Sequence, residues 1–207
     1  MYEIEILCII ALEPYHLGVA HMAKVQQDIS IAYTAKGRHY HTLDHLAAMF
    51  TSLQPVWNKL ERPELVAFAI LYHDFYYNAT RKDNEERSAD KAYGQMKLWN
   101  IPEEDCLKVK DMILTTKAHP ESLGDVDTAY FLDADLVALG SEWSVYEDYY
   151  RGVRKEYKIY PNVLYKPGRR KVLQHFLAME NIYRTKYFGN TYENQAKQNL
   201  AREINML

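Results

Sequence analysis

The hydrophobic positions of this chain recur with a helical period over most of its length. From Tyr15 to about Lys36, apolar residues fall every three or four positions, and Gly37 ends the pattern. Comparable patterns cover residues 41–60, 63–74, 83–99, 101–119, 127–139, 141–159, 168–183 and 191–206. No lasting two-residue alternation, the pattern of strands, appears, although the first dozen residues fit either helix or strand. The pattern predicts an all-α protein.

One predicted helix is apolar around most of its circumference. It begins at Pro63 and Glu64 and continues through the unbroken apolar run 65–72. The run ends in His73 and Asp74, an ionisable pair whose burial is costly unless something compensates for it. A buried histidine that bonds to its neighbouring carboxylate would compensate, and so would a divalent metal ion.

Two local features predict where other helices bend or begin. Pro55 is expected to bend or split the helix over residues 41–60. Asp83 and Glu86 have the spacing of a reciprocal capping box, so we expect a helix to begin there.

Composition narrows the class of protein. The 207 residues are 48% hydrophobic and 26% charged, values typical of one folded domain, and no stretch resembles a linker. A single domain over residues 1–207 is therefore expected. The net charge of −3 argues against a protein that coats nucleic acid and favours small-molecule partners.

Cysteine use and hydropathy bear on the compartment. The two cysteines, Cys8 and Cys106, form no Cys-x-x-Cys pair, which predicts neither a disulfide framework nor a thiolate zinc site. The apolar segment Ile6–Leu12 is short and follows acidic rather than basic residues, and no window approaches the ~20 apolar residues of a membrane span. We therefore expect a cytoplasmic protein.

Histidines and aspartates recur on three of the predicted helices. His41 and His45 are four residues apart and would share one helix face, His73 and Asp74 end a second helix, and Asp135 belongs to a third. Imidazole and carboxylate ligands without thiolates suit a divalent ion such as Mn, Fe, Mg, Co, Ni or Zn, with positions left open for water and substrate. The ligand types do not choose among these ions.

These residues resemble the HD superfamily of metal-dependent phosphohydrolases. The segment Tyr40–His45 is similar to the Tyr-His-Asn-x-x-His segment of cyclic-nucleotide phosphodiesterases. The chain resembles still more closely a bacterial branch described as predicted metal-dependent HD phosphohydrolases, over roughly residues 30 to 205. The segments that carry this resemblance are Arg38-His39-Tyr40-His41, His73-Asp74, Asp83-Asn84-Glu85, Thr116-Lys117-Ala118-His119, Phe131–Leu136, Val153–Tyr157 and Asn199-Leu200.

The resemblance implies a fold and a ligand set. It implies an HD-domain helical bundle with its core motif at about residues 30–140 and C-terminal helices at about 141–205 that complete the pocket. The implied metal ligands are His45, His73, Asp74 and Asp135. Asp133 competes with Asp135 for the last position, but the Ala-Asp-Leu context favours Asp135, and Asp133 would then orient a histidine through its free ring nitrogen.

The resemblance also implies catalytic roles in the hydrolysis of a phosphate ester. His41 would protonate the leaving oxygen, and Asp74 would help to orient the attacking water. A helix N-terminus disfavours imidazolium, so His41 needs a nearby carboxylate, for which Asp44 and Glu85 are candidates. Two roles are left open for Glu85 itself, namely activation of the attacking water and a position on a solvated helix surface.

Four further residues are candidates for substrate binding. Lys117 and His119 end a helix, where basic residues also complement the helix dipole, and the resemblance makes His119 a candidate contact to a second metal or to phosphate. Arg154 and Arg169 are candidate phosphate clamps, because a guanidinium binds two oxygens at once. Salt bridges from these arginines to Glu147, Glu156 or Glu180 are the alternative.

The sequence thus predicts a metal-dependent phosphohydrolase, a phosphomonoesterase or phosphodiesterase, with a small phosphorylated substrate such as a nucleotide. The alternatives are a nucleotide- or phosphate-binding regulatory module with little or no turnover and a purely structural helical domain. Neither a membrane nor a nucleic acid is expected as a partner, and a homo-oligomer is left open.

Overall fold

A computed structural model describes residues 2–119 and 125–207, and within these residues it confirms the all-α prediction. No β-strand occurs in this part of the chain. Its α-helices are α1 (Tyr2–Leu12), α2 (Val19–Tyr33), α3 (Leu43–Leu53), α4 (Pro63–Tyr72), α5 (Asn84–Leu98), α6 (Glu103–Thr115), α7 (Val126–Asp135), α8 (Trp143–Glu156), α9 (Asn162–Ala178) and α10 (Lys186–Met206). Three short 3₁₀ segments, Glu13–Tyr15, Gln54–Lys59 and Val137–Gly140, connect them.

Helix α4 lies at the centre of the core. Every residue from Leu65 to Tyr72 is buried, because α1, α5, α6 and α7 all pack against this helix. The first dozen residues are helical, and Leu7, Cys8 and Leu12 of α1 are completely buried. The unbroken apolar run of α4 therefore reflects burial on all sides.

The helix predicted over residues 41–60 is split, as Pro55 suggested. Helix α3 ends at Leu53, and the chain continues as the 3₁₀ segment Gln54–Lys59. The helix also begins later than expected, at Leu43, because Thr42 has the extended backbone of an N-cap residue. His41 consequently lies in the turn before the helix.

One predicted helix start is correct without its predicted cap, and another is wrong. Helix α5 begins at Asn84, directly after Asp83, as expected. The capping box does not form, since the Asp83 carboxylate binds Arg81 at 2.6 and 2.7 Å and Glu86 pairs with Lys117. Helix α9 begins at Asn162 rather than near Gly168, so Pro167 lies inside it. Contacts outside the helix hold its start, because Arg154 donates to the Asn162 side chain at 2.9 Å.

The C-terminal helix α10 closes over the end of α7. Gly140 allows this close approach, because a Cβ atom there would lie 2.5 Å from the Tyr192 Cβ atom. The Asn199 amide donates to the carbonyls of Leu139 and Ser141 at 2.9 and 2.7 Å. These contacts fix the segment that follows Asp135.

The structure describes both cysteines and the hydropathy of the helices. Cys8 and Cys106 are free and buried. Burial and the nearby Glu5 raise the pKa of the Cys8 thiol to about 12, so this sulfur is a packing group. Among the helices of the described ranges, none has the length and apolar character required to cross a bilayer.

Candidate metal centre

His73 is held at the C-terminal end of the buried helix α4. Its backbone N–H donates to the Ala69 carbonyl at 2.9 Å, and its ring Nδ1 lies 3.0 Å from the Ile70 carbonyl. Because a carbonyl oxygen only accepts, Nδ1 must carry a proton and donate it. The other ring nitrogen, Nε2, is thereby directed at the candidate site.

Three side chains from three helices meet at this point. His45 comes from the first turn of α3, and Asp135 is the last residue of α7. The His45 Nε2 atom lies 3.2 Å from His73 Nε2 and 3.2 Å from Asp135 Oδ1, and the distance from His73 Nε2 to Asp135 Oδ1 is 3.6 Å. Both histidines are buried and Asp135 is half-buried.

The size of this triangle fits a divalent metal ion. Nitrogen and oxygen ligands bind such ions at about 2.0–2.2 Å, so ligand atoms at angles of 90–110° are about 2.8–3.6 Å apart. The three observed separations fall within this range. The group His45, His73 and Asp135 could therefore hold a metal ion.

Two more residues border the triangle. The Asp74 Oδ2 atom lies 3.2 Å from His73 Nε2, and His119 Nε2 lies 3.4 Å from Asp135 Oδ2. His119 has a backbone φ of 44°, in the left-handed region that a non-glycine residue adopts at a cost. Its Nδ1 atom is buried without a hydrogen bond to any described residue. The structure thus brings all four predicted ligands and His119 together.

The charges at the site favour bound cations. Burial raises the pKa of the Asp135 carboxyl, but the bond to His45 and the nearby His73 and His119 lower it to about 2 overall. The pKa of Asp74 is also held below its usual value, because its histidine neighbours outweigh its burial. For His73, burial lowers the pKa, and Asp74 and Asp135 more than offset this, raising it to about 9. In the absence of a metal, a protonated His73 thus balances ionised carboxylates.

The two remaining histidines of the group stay neutral. Burial is the largest influence on the pKa of His45 and lowers it despite the bond to Asp135. Burial also lowers the pKa of His119, to about 4. Neutral imidazole is the form that binds metal ions, so both rings are in the appropriate protonation state at neutral pH.

His41 has a carboxylate partner, but neither of the two candidates from the sequence. Its Nδ1 atom lies 2.8 Å from Glu156 Oε2, and its Nε2 atom lies 3.8 Å from Asp74 Oδ2. The other Glu156 oxygen accepts hydrogen bonds of 2.8, 2.8 and 3.1 Å from the backbone N–H groups of residues 39–41. Glu156 therefore fixes both the backbone and the ring of His41.

An open cavity of about 550 Å³ lies over these side chains. Four arginine and lysine residues line it, namely Arg81, Lys82, Lys117 and Arg169, and so does Glu85. Arg81 pairs with Asp83, and Lys117 binds Glu86 and the Lys82 carbonyl. Lys82 has no ion-pair partner among the residues that the structure describes. Glu85 lies at the rim, half-buried.

Asp133 does not orient a histidine. Its carboxylate is completely buried and accepts hydrogen bonds from the backbone N–H groups of Arg184 and Thr185, both at 2.8 Å. It also accepts a bond from the Thr185 hydroxyl at 2.8 Å. Asp133 therefore anchors the chain just before α10. The ring of His73 is oriented instead by the Ile70 carbonyl.

The two predicted arginine clamps make structural contacts. Arg154 donates to the carbonyls of Tyr157 and Tyr160, both at 3.0 Å, and does not line the metal cavity. Arg169 does line that cavity, but its guanidinium binds the Glu203 carboxylate through two hydrogen bonds of 2.8 and 2.9 Å. None of the three expected acidic partners, Glu147, Glu156 or Glu180, takes this position.

Several contributors to the site were given no role in the sequence prediction. From the sequence, Glu156 is expected only as a salt-bridge partner of an arginine, and its segment gives no indication that it binds His41. Tyr77 stacks on the His41 ring with 4.0 Å between ring centroids. Arg38 donates to the carbonyl of His41 at 2.9 Å and to that of Asp74 at 2.7 Å, which joins the two halves of the site. Arg38 lies in one of the segments that resemble the HD superfamily, but its hydrogen-bond partners depend on the fold and are not evident from the sequence.

Comparison with protein-family models, curated proteins and solved structures gave no match to this chain. Its assignment therefore depends on the residues and geometry described above.

Proposed function

We propose that this chain is an HD-type metal-dependent phosphohydrolase that cleaves a phosphate ester of a small molecule. The observation that carries this proposal is the triangle of His45, His73 and Asp135 ligand atoms at the base of an open cavity. The motif resemblance supports it independently, because the same residues are the ones that it implies as ligands. The HD-domain bundle is part of the proposal.

The ligand set determines what a bound ion would contribute. His45, His73 and Asp135 would hold a divalent ion, with Asp74 and His119 adjacent to it. Bound there, the ion would supply Lewis-acid polarisation of a phosphoryl oxygen and a lowered pKa for a coordinated water. Asp74 faces both His73 and His41, so its carboxylate is placed to orient a water by accepting a hydrogen bond.

His41 is the proposed general acid. The Glu156 carboxylate accepts a hydrogen bond from the Nδ1–H group of His41. In the protonated ring, the Nε2–H group then points away from Glu156 and is available to a leaving oxygen. Burial lowers the pKa of His41, but the nearby Asp74 and the bond to Glu156 outweigh it, and the net shift is upward. The direction of this shift favours the protonated form that a general acid needs.

The cationic rim is the proposed contact for the phosphate oxygens. Lys82 and Lys117 line the same cavity as His73 and Asp135. Lys117 forms an ion pair with Glu86, whereas Lys82 has no carboxylate partner in the described ranges. Positive groups at this position would stabilise the charge that develops on the equatorial oxygens.

The test is release of p-nitrophenol from its phosphate esters by protein loaded with Mn²⁺. We expect hydrolysis of p-nitrophenyl phosphate or its diester, bis(p-nitrophenyl) phosphate, and loss of that activity in Asp135→Asn and on chelation. His175→Gln, which alters an exposed histidine outside the site, should behave like wild type. Metal binding without hydrolysis of a broad phosphate panel would refute the proposal in favour of a regulatory binding module.

A second comparison tests the role of His41. Alkoxide leaving groups need a proton, whereas p-nitrophenolate leaves easily without one. His41→Gln should therefore lower kcat by about 10²–10⁴-fold for glycerol phosphate, and much less for p-nitrophenyl phosphate. An equal loss for both esters would contradict a general-acid role.

A further inference from the structure

A second, smaller cavity of about 320 Å³ adjoins the metal cavity along the hairpin formed by α8 and α9. The two cavities share Val153, Tyr157, Arg169 and Val172 in their linings. Away from this border, the smaller cavity is lined by Tyr160, Leu164, Tyr165 and Gly168. We call it the α8–α9 groove.

The chemistry of the groove is apolar. Its lining consists of aliphatic and tyrosine side chains, one glycine and Arg169, and includes no Asn, Gln, Ser, Thr, Asp or Glu. The Arg169 guanidinium is already bound to Glu203 and to the Tyr149 hydroxyl, which lies 3.2 Å from Nη1. Leu164 and Val172 are 62% and 45% exposed, so the groove presents apolar surface to solvent.

The groove is also held in shape. Arg154 donates to the carbonyls of Tyr157 and Tyr160 in the turn between the two helices. The same guanidinium lies 4.4 Å from the centre of the Tyr165 ring. One side chain thus contacts both the turn and Tyr165 in the lining of the groove, which favours a preformed binding surface.

We propose that the α8–α9 groove binds an extended apolar group on the alcohol part of the substrate, so that the site selects amphiphilic phosphate esters. The inference depends on the proposed function, because it places the phosphate at the His45, His73 and Asp135 cluster. A nucleobase suits the groove less well, since its polar edges would lose their bonds to water and find few partners there.

Glycine positions offer a clean way to block the groove. A Cβ atom at Gly168 would meet nothing within 4 Å, so Gly168→Phe adds a ring to the groove without a backbone clash. Gly94, in the middle of α5, has equally open surroundings and does not line the groove, so Gly94→Phe is the matched control. Leu164→Asp is a second, independent variant, because it places a carboxylate in the groove at the first turn of α9, where the helix dipole favours an acid.

The experiment is calorimetric titration of Mn²⁺-loaded protein with octylphosphonate and with methylphosphonate. Wild type should bind octylphosphonate about 50-fold more tightly, which corresponds to the burial of about three methylene groups. This preference should fall below about 5-fold in Gly168→Phe and Leu164→Asp and remain at the wild-type value in Gly94→Phe.

The outcomes separate the two proposals. Equal affinity of wild type for both phosphonates, or a preference that both groove variants retain, overturns the groove assignment even if short phosphate esters are hydrolysed. An octyl preference that the groove variants abolish, without hydrolysis of octyl phosphate or any other ester, supports the groove and refutes the hydrolase function.

Discussion

The buried pair formed by Arg169 and Glu203 gives the sharpest prediction about stability. Arg169 lies in α9 and Glu203 in α10, with side chains 6% and 2% exposed. Two hydrogen bonds join the guanidinium to the carboxylate, and the Tyr146 hydroxyl donates to the same carboxylate at 2.5 Å. The network joins the C-terminal helix to the wall of the cavity.

Arg169→Met removes the cation and keeps most of the volume. It leaves the Glu203 carboxylate buried with the Tyr146 hydroxyl as its remaining partner. Removing one member of a buried ion pair typically costs about 3–5 kcal/mol. For a chain of this size, that loss lowers Tm by roughly 6–20 °C.

Urea unfolding and thermal melts would measure this effect. The matched control is Arg170→Met, which changes the neighbouring, half-buried arginine and should cost less than about 0.5 kcal/mol. In a double variant, Arg169→Met with Glu203→Met, the loss in unfolding free energy should be smaller than the sum of the losses in the two single variants. If Arg169→Met unfolds like Arg170→Met and instead raises KM for phosphate esters, Arg169 is a phosphate clamp and our structural assignment is wrong.

Two other predictions concern stability. Burial raises the pKa of Glu156, but its interactions with His41 and the backbone outweigh this and lower the pKa from 4.5 to about 2. Ionised Glu156 therefore contributes about 3 kcal/mol to the free energy of unfolding above pH 4.5, and this contribution is lost as the pH falls towards 2. In metal-free protein, Glu156→Gln should flatten the pH dependence of the unfolding free energy across that window, and an unchanged slope would contradict the assignment. Gly140→Ala should lower Tm measurably, because its Cβ atom would lie 2.5 Å from Tyr192 Cβ, whereas Gly94→Ala has open space and should not. Equal melting of the two alanine variants would refute the close packing of α10.

The helices were predictable because their causes are local. Periodicity placed α4 and its buried run correctly, and Pro55 marked the end of the preceding helix region. The errors arose where other side-chain contacts overrode the helix-start rules. Asp83 pairs with Arg81 instead of capping α5, and Pro167 is tolerated inside α9.

Part of the site was predictable for a different reason. An ionisable pair at the end of an apolar helix needs compensation, and this requirement pointed to His73 and Asp74 before any distance was known. The ligand roles of His45 and Asp135 came from the resemblance to the HD superfamily. Asp133 and Asp135 are two positions apart on α7 and therefore about 200° apart around its axis. Only one of them faces the histidines, and the structure shows that it is Asp135.

The partners of charged groups were not predictable, because they come from remote parts of the chain. Glu156 is 115 residues from His41, and Glu203 is 34 residues from Arg169. Sequence spacing carries no information about such pairs once they lie on different helices. The sequence could therefore suggest that His41 needs a carboxylate but not which one.

Metal binding by the His45, His73 and Asp135 cluster is the central claim, and its most direct test is metal stoichiometry. Chelator-stripped protein would be titrated with Mn²⁺ by calorimetry, with metal content checked by mass spectrometry, for wild type, Asp135→Asn and the exposed control His175→Gln. We predict about one ion per chain for wild type and the control, and loss of that site in a folded Asp135→Asn variant. Absence of binding by wild type to Mn²⁺, Fe²⁺, Ni²⁺ and Zn²⁺, or undiminished binding by Asp135→Asn, would contradict the account.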